Sequence, residues 1–253
     1  MGRSGLAPRL ALLVALLTAG CGKEPAPGDS LLDTARAATV FDEGVKKAAQ
    51  AELVRMAPVR LPDFVALLEN PDTRLADVAG MTLMRVDVRS VAPRLREVMK
   101  GTNRVAAFWA ARALSPLDPI ETPMLDLMAF GLESGSLDMQ DEALAVLATR
   151  VPPGSPPPPR RLLDALGKAL RDQATTGTAA VVLSRYGAAA VPTLVAALDD
   201  SVASLWAIGA LGTIGPLAGD AIPALERALQ RDWGDLGLRR AKAAEALRRI
   251  RDE

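Results

Sequence analysis

The sequence predicts an all-α solenoid of about seven antiparallel helical hairpins, and three observations predict it. First, a proline followed two places on by an apolar residue recurs at steps of 31 and 30 residues at Pro62, Pro93 and Pro123, and again 31 residues apart at Pro192 and Pro223. A further copy carries Asp164 in the proline place, with Leu166, Ala169 and Leu170 following. Proline costs little in the first turn of a helix, where its missing N–H has no helical partner, so each copy opens a helix. Second, a small residue stands four places before a leucine or methionine in seven segments: Ala49/Leu53, Gly80/Met84, Ala110/Leu114, Ala143/Leu147, Ala179/Leu183, Ala207/Leu211 and Ala243/Leu247. Such a pair lies on one helical face, and its small member lets two helix axes come close. From Leu53, Met84, Leu114 and Leu183 the proline that opens the next copy is 9 residues on, which fits two helices joined by short turns. Third, aromatic residues make up 3% of the chain and the hydrophobic class 49%, a composition suited to slender helices packed through alanine and leucine.

Composition also bounds the chemistry. The 253 residues include no histidine and one cysteine. That excludes a Ser-His-Asp triad, a His-ligated metal, a four-cysteine zinc site and an internal disulfide. With 30 basic and 30 acidic residues, the chain lacks the cationic excess by which phosphate-neutralising proteins hold nucleic acid. No cofactor, metal or nucleic-acid partner is expected.

The N-terminus reads as an address. Arg3 and Arg9 precede an apolar run from Leu10 to Leu17, with no acid before Cys21. The run is well short of the roughly 20 residues that a membrane-spanning helix needs, and it fits a secretory signal. Leu17-Thr18-Ala19-Gly20-Cys21 resembles the lipobox of bacterial lipoproteins. That resemblance implies cleavage after residue 20 and lipidation of Cys21, which would hold the protein to a membrane with its folded part in water. Residues 21–41, beginning Gly-Lys-Glu-Pro-Ala-Pro-Gly after the cysteine, are expected to form a flexible tether. Gly28-Asp29-Ser30-Leu31 spells the motif of the GDSL hydrolases, but that serine requires a histidine base and the chain has none.

The repeats resemble HEAT repeats, in particular the short HEAT-like repeats named after the phycobilin lyases. The likeness is strongest over Ala190-Val191-Pro192-Thr193-Leu194 through Ala197-Leu198-Asp199-Asp200 and Ala207-Ile208-Gly209-Ala210-Leu211-Gly212. It runs from about residue 42 to residue 253, and the repeat itself is a scaffold that does not imply lyase activity. One irregularity interrupts it: the step from Pro123 to Asp164 is 41 residues, the excess being the proline-rich 152–159. The segment reads as a surface loop, a semi-rigid hinge between repeats 42–151 and 160–253, or a docking site for a proline-binding partner.

Aligning the copies singles out one position. Immediately before the small residue, two copies carry Trp109 and Trp206, preceded by Phe108 and Leu205, and Arg112 would share the face of Trp109. The HEAT resemblance places second helices on the inner surface, so these five residues are the candidate partner-binding surface. The alternative is that each ring fills a gap in an alanine-rich core. Arg239, Arg240, Lys242, Arg248, Arg249 and Arg251 make the last helix basic, as a polar cap on a solenoid or as a contact for anionic lipid headgroups. The acids show no spacing that marks a pair for acid–base work. The expected function is therefore a lipid-anchored scaffold in the bacterial cell envelope, facing the periplasm, that binds a protein partner and is not an enzyme. The alternatives are a substrate-holding part of an envelope enzyme using carboxylate chemistry, or a structural spacer.

Overall fold

A computed structural model describes residues 29–231, 233–235 and 237–252. Cys21 and the signal sequence expected before it lie outside the described residues. The chain forms two compact units, one up to Asp118 and one from Pro119 onward. Among the described residues every regular element is helical.

The first unit contains α1 (Asp29–Ala37), α2 (Glu43–Leu68), α3 (Thr73–Leu83), α4 (Ala92–Met99) and α5 (Arg104–Leu114). Polar side chains start most of these helices, as unpaired N-terminal N–H groups require. Asp42, Asp72 and Asn103 accept from the backbone N–H of Val45, Arg74 and Ala106 at 2.9, 3.1 and 3.2 Å. Pro93 sits in the first turn of α4, as its place in the repeat predicts. One expectation fails here. Residues 29–38 belong to the folded unit rather than to a tether, because Leu31, Thr34, Ala35 and Ala38 form one helical stripe that is buried. The break expected before Pro62 is present but tight: within α2 two helical stretches meet across a kink at Arg60 (φ −126°, ψ 21°). The bend follows from the proline, whose ring forbids regular helix in the preceding turn and whose absent N–H leaves a helical bond unmade.

The second unit contains α6 (Thr122–Glu133), α7 (Leu137–Arg150), α8 (Arg160–Ala169), α9 (Thr176–Arg185), α10 (Val191–Val195), α11 (Ser204–Ile214), α12 (Ile222–Gln230) and α13 (Leu238–Arg251). Pro123, Pro192 and Pro223 lie in the first turns of α6, α10 and α12. The hairpins are α6/α7, α8/α9, α10/α11 and α12/α13, and the second helices α7, α9, α11 and α13 pack side by side in sequence order. In the first unit α2/α3 and α4/α5 pair in the same way, with α3 against α5. The fold is thus an all-α, HEAT-like helical-hairpin solenoid. Its spine is the small-residue position: Ala49, Ala110, Ala143, Ala179, Ala207 and Ala243 have no exposed surface. Gly212 carries the close packing one step further, since a Cβ there would stand 3.1 Å from the Ala246 backbone on α13.

The proline-rich segment is not the divide between units. It lies inside the second one, tied down by the Gly154 N–H donating to the Arg185 carbonyl at 2.8 Å. The Arg185 guanidinium in turn donates to the carbonyls of Ala148 and Val151. These bonds fasten the start of the 152–159 loop to the end of α9.

Candidate functional site

Trp109 and Trp206 occupy the same repeat position but differ in environment. On α5, Phe108 and Trp109 are completely buried, with ring centroids 5.2 Å apart and planes at 76°. That edge-to-face contact is the one aromatic quadrupoles favour. The Trp109 indole reaches back over Gly80 of α3, where a Cβ would lie 2.2 Å from the ring. Its Nε1–H donates to Asp77 Oδ1 at 2.7 Å, so the one polar atom of a buried ring is satisfied. Arg112 is half-buried and donates to Ser115 Oγ at 3.3 Å. Phe108 and Trp109 therefore form core, not a partner-binding surface, and the expectation for them is corrected.

Trp206 has a different setting. It is 47% exposed on α11, Leu205 beside it is half-buried, and the ring lies over Gly177 of α9. Beside it opens a cleft of about 680 Å³, lined by three successive second helices, α9, α11 and α13. That volume lies within the range usual for ligand-binding pockets. Its apolar walls include Val181 of α9 and Leu238 of α13, themselves 47% and 50% exposed. The floor is α11 at Gly209, where nothing stands within 4 Å of the place a Cβ would take. On its other side Trp206 also borders a second cavity, of about 610 Å³, together with Thr176 and Val202. Thr176 Oγ1 is buried there and has no hydrogen-bond partner among the described residues.

The polar residues of the larger cleft gather along its α13 and α9 walls. Lys242 and Arg249 both pair with Glu245, at 3.2 and 2.6 Å. The hydrogen bond from Lys242, its charge and the nearby Arg249 hold the Glu245 carboxyl below the usual range. Arg185 is held by main-chain carbonyls, so its charge has no carboxylate among these bonds. The start of α13 is latched to the start of α11 by Arg239, which donates to Ser204 Oγ at 2.9 Å and to the Ser201 carbonyl at 2.7 Å. Asp235 braces the same guanidinium at 2.9 Å. The latch fixes Leu238, one residue earlier, at the cleft edge. Much of the rest of the basic face on α13 is also engaged: Arg251 pairs with Glu226 at 2.5 Å, and Arg240 donates to the Arg231 carbonyl at 3.0 Å.

Of the sequence candidates, the structure brings only Leu205 and Trp206 to an open site, while Phe108, Trp109 and Arg112 belong to the other unit. Val181, Gly209 and Leu238 were missed. Their signal was present in the 181/185, 205/209 and 238/242 spacings, which put each pair on one helical face. An apolar residue on an outward face is legible only once the three helices are stacked. Among the described residues no three His, Cys, Asp or Glu side chains are grouped as a metal site.

No protein-family model matches the sequence, and no curated protein matches it. Among solved structures, the chain is similar to an engineered protein, with 20% identity and a TM-score of 0.48 over 96% of this chain and 68% of that one. It is also similar to human deoxyhypusine hydroxylase solved in complex with glycerol, with 19% identity and a TM-score of 0.39 over 99% and 92%. One of these similar structures is by name an enzyme, so the expectation that the chain is not an enzyme is withdrawn.

Proposed function

We propose that the protein is a lipid-anchored, HEAT-type binding scaffold of the bacterial cell envelope, attached through Cys21 and facing the periplasm. Its C-terminal unit holds an apolar element of a protein partner. The observation that carries this reading is the cluster of Trp206, Val181 and Leu238, large apolar side chains each about half exposed around one cleft. Exposed apolar surface gathered in one place marks an interaction site, whereas scattered single residues do not. Tryptophan is the residue most often decisive at such sites. The anchor rests on the lipobox-like Leu17-Thr18-Ala19-Gly20-Cys21. Its contribution is concentration: a surface held at a membrane meets its partner at a local concentration that solution binding does not reach.

Two measurements test the two parts. Palmitate labelling of the wild-type chain is expected and should vanish in Cys21→Ser; label that persists overturns the anchor. Crosslinking in intact cells, followed by identification of what is joined to the protein, is expected to give a discrete partner that Trp206→Ala and Val181→Ser lose. An unchanged crosslink pattern in both variants rules out the cleft as the binding surface.

A further inference from the structure

We infer that the cleft is shaped and charged for one helical segment of the partner, apolar on the face that enters and acidic along its flanks. This rests on the protein-binding reading above and names the chemistry of what is bound.

The shape argument starts from Gly209. A glycine inside a helix destabilises it relative to alanine, and natural helices keep one where something must come close. At Gly80 and Gly212 the neighbour is part of the chain, Trp109 in one case and Ala246 in the other. At Gly209 no atom of the described residues stands within 4 Å of where a Cβ would be. The residue is exposed in mid-helix at the floor of the cleft, flanked by Trp206 one turn before and Thr213 one turn after. The missing side chain leaves a notch that only a ligand fills. The walls, on α9 and α13, belong to the two neighbours of α11. Helices packed side by side lie about 8–10 Å apart, so a trough over the middle one of three has room for one more helix. Laying an apolar helical face into such a groove is a recurrent mode of peptide recognition.

The charge argument comes from the same walls. Among the described residues the lining contains three cations, Arg185, Lys242 and Arg249, against one anion, Glu245. Glu245 is shared between Lys242 and Arg249, and Arg185 is satisfied by carbonyls that carry no net charge. The rim therefore offers a net positive field around an apolar floor, and it selects acidic flanks over basic ones.

The test uses the full mature chain with Cys21→Ser and two labelled synthetic helical peptides of identical leucine face. One carries glutamate on its flanks and the other lysine. Fluorescence anisotropy is expected to show the acidic peptide binding at least about tenfold more tightly than the basic one, with the preference shrinking as salt rises. Gly209→Leu fills the notch from a position where the added Cβ meets nothing within 4 Å, and it should weaken the acidic peptide by about tenfold or more while the protein stays folded by circular dichroism. Lys242→Glu combined with Arg249→Glu should abolish or reverse the preference between peptides. Equal binding of both peptides, or undiminished binding to Gly209→Leu, overturns the inference. If neither peptide binds but the crosslinked partner is still lost in Trp206→Ala, the scaffold reading stands and the helical acidic occupant does not. If the crosslinks also ignore Trp206, both fall.

Discussion

Trp109 in the first unit and Trp206 in the second stand at one repeat position, each reaching back toward the second helix of the preceding hairpin. One is entirely buried and the other is 47% exposed. The difference lies in the helix beneath, not in the tryptophan. Under Trp109 the small-residue position is Gly80, and Asp77 one turn earlier accepts the indole N–H. Under Trp206 the equivalent positions are Ala179 and Thr176, so there is a methyl where the ring would sink and no carboxylate to receive its N–H. The ring rests instead above Gly177, 3.3 Å from where a Cβ would be, and stays open to two cavities. The same side chain is thus a buried structural wedge or a half-exposed ring according to one missing methyl and one carboxylate on its neighbour.

The strongest way to break this comparison is Trp109→Ala. Removing a fully buried tryptophan should cost about 3–5 kcal/mol, enough to unfold much of the first unit, as thermal denaturation followed by circular dichroism would show. A loss below about 1 kcal/mol would mean that the ring is not the wedge described. Gly80→Ala comes next. Helix propensity alone favours alanine, yet the added Cβ would lie 2.2 Å from the indole, and overpacking of this kind costs about 1–3 kcal/mol. The sign of that change in denaturant unfolding is the discriminating result. Asp77→Ala removes the acceptor and leaves a buried N–H unpaired, for a loss of about 1–2 kcal/mol.

How far the sequence shows this in advance can be judged from particular residues. The proline and small-residue registers mark the hairpins because both act within one helix or at its first turn, where local rules hold. At Pro62 the turn shrinks to a kink at Arg60, and the rules fail at Leu31 to Ala38, whose apolar stripe is only about two turns long. The tryptophan position is legible as a pair, but not which member is buried. That depends on Gly80 and Asp77, which lie 29 and 32 residues before Trp109. Gly209 reads in sequence as one more small packing residue, and only its empty surroundings separate it from Gly212.

Trp206→Ala should divide stability from recognition. With half of the ring exposed, its loss should lower stability by about 1 kcal/mol or less, while the crosslinked partner and the acidic peptide are both lost. A drop like that of Trp109→Ala would place Trp206 in the core as well, and the contrast between the two units would collapse.

Gly209→Ala is the smallest change and the most informative in sign. No atom of the described residues from outside this stretch of α11 lies within 4 Å of the new methyl, and alanine is better than glycine in a helix by about 0.5–1 kcal/mol. The chain should become slightly more stable, with a higher denaturation midpoint and an unchanged slope. A more stable protein that binds less well is the signature of a position kept for function at the expense of the fold. Stabilisation with undiminished peptide binding would instead mean that the glycine serves neither, and the notch would lose its place in the recognition scheme.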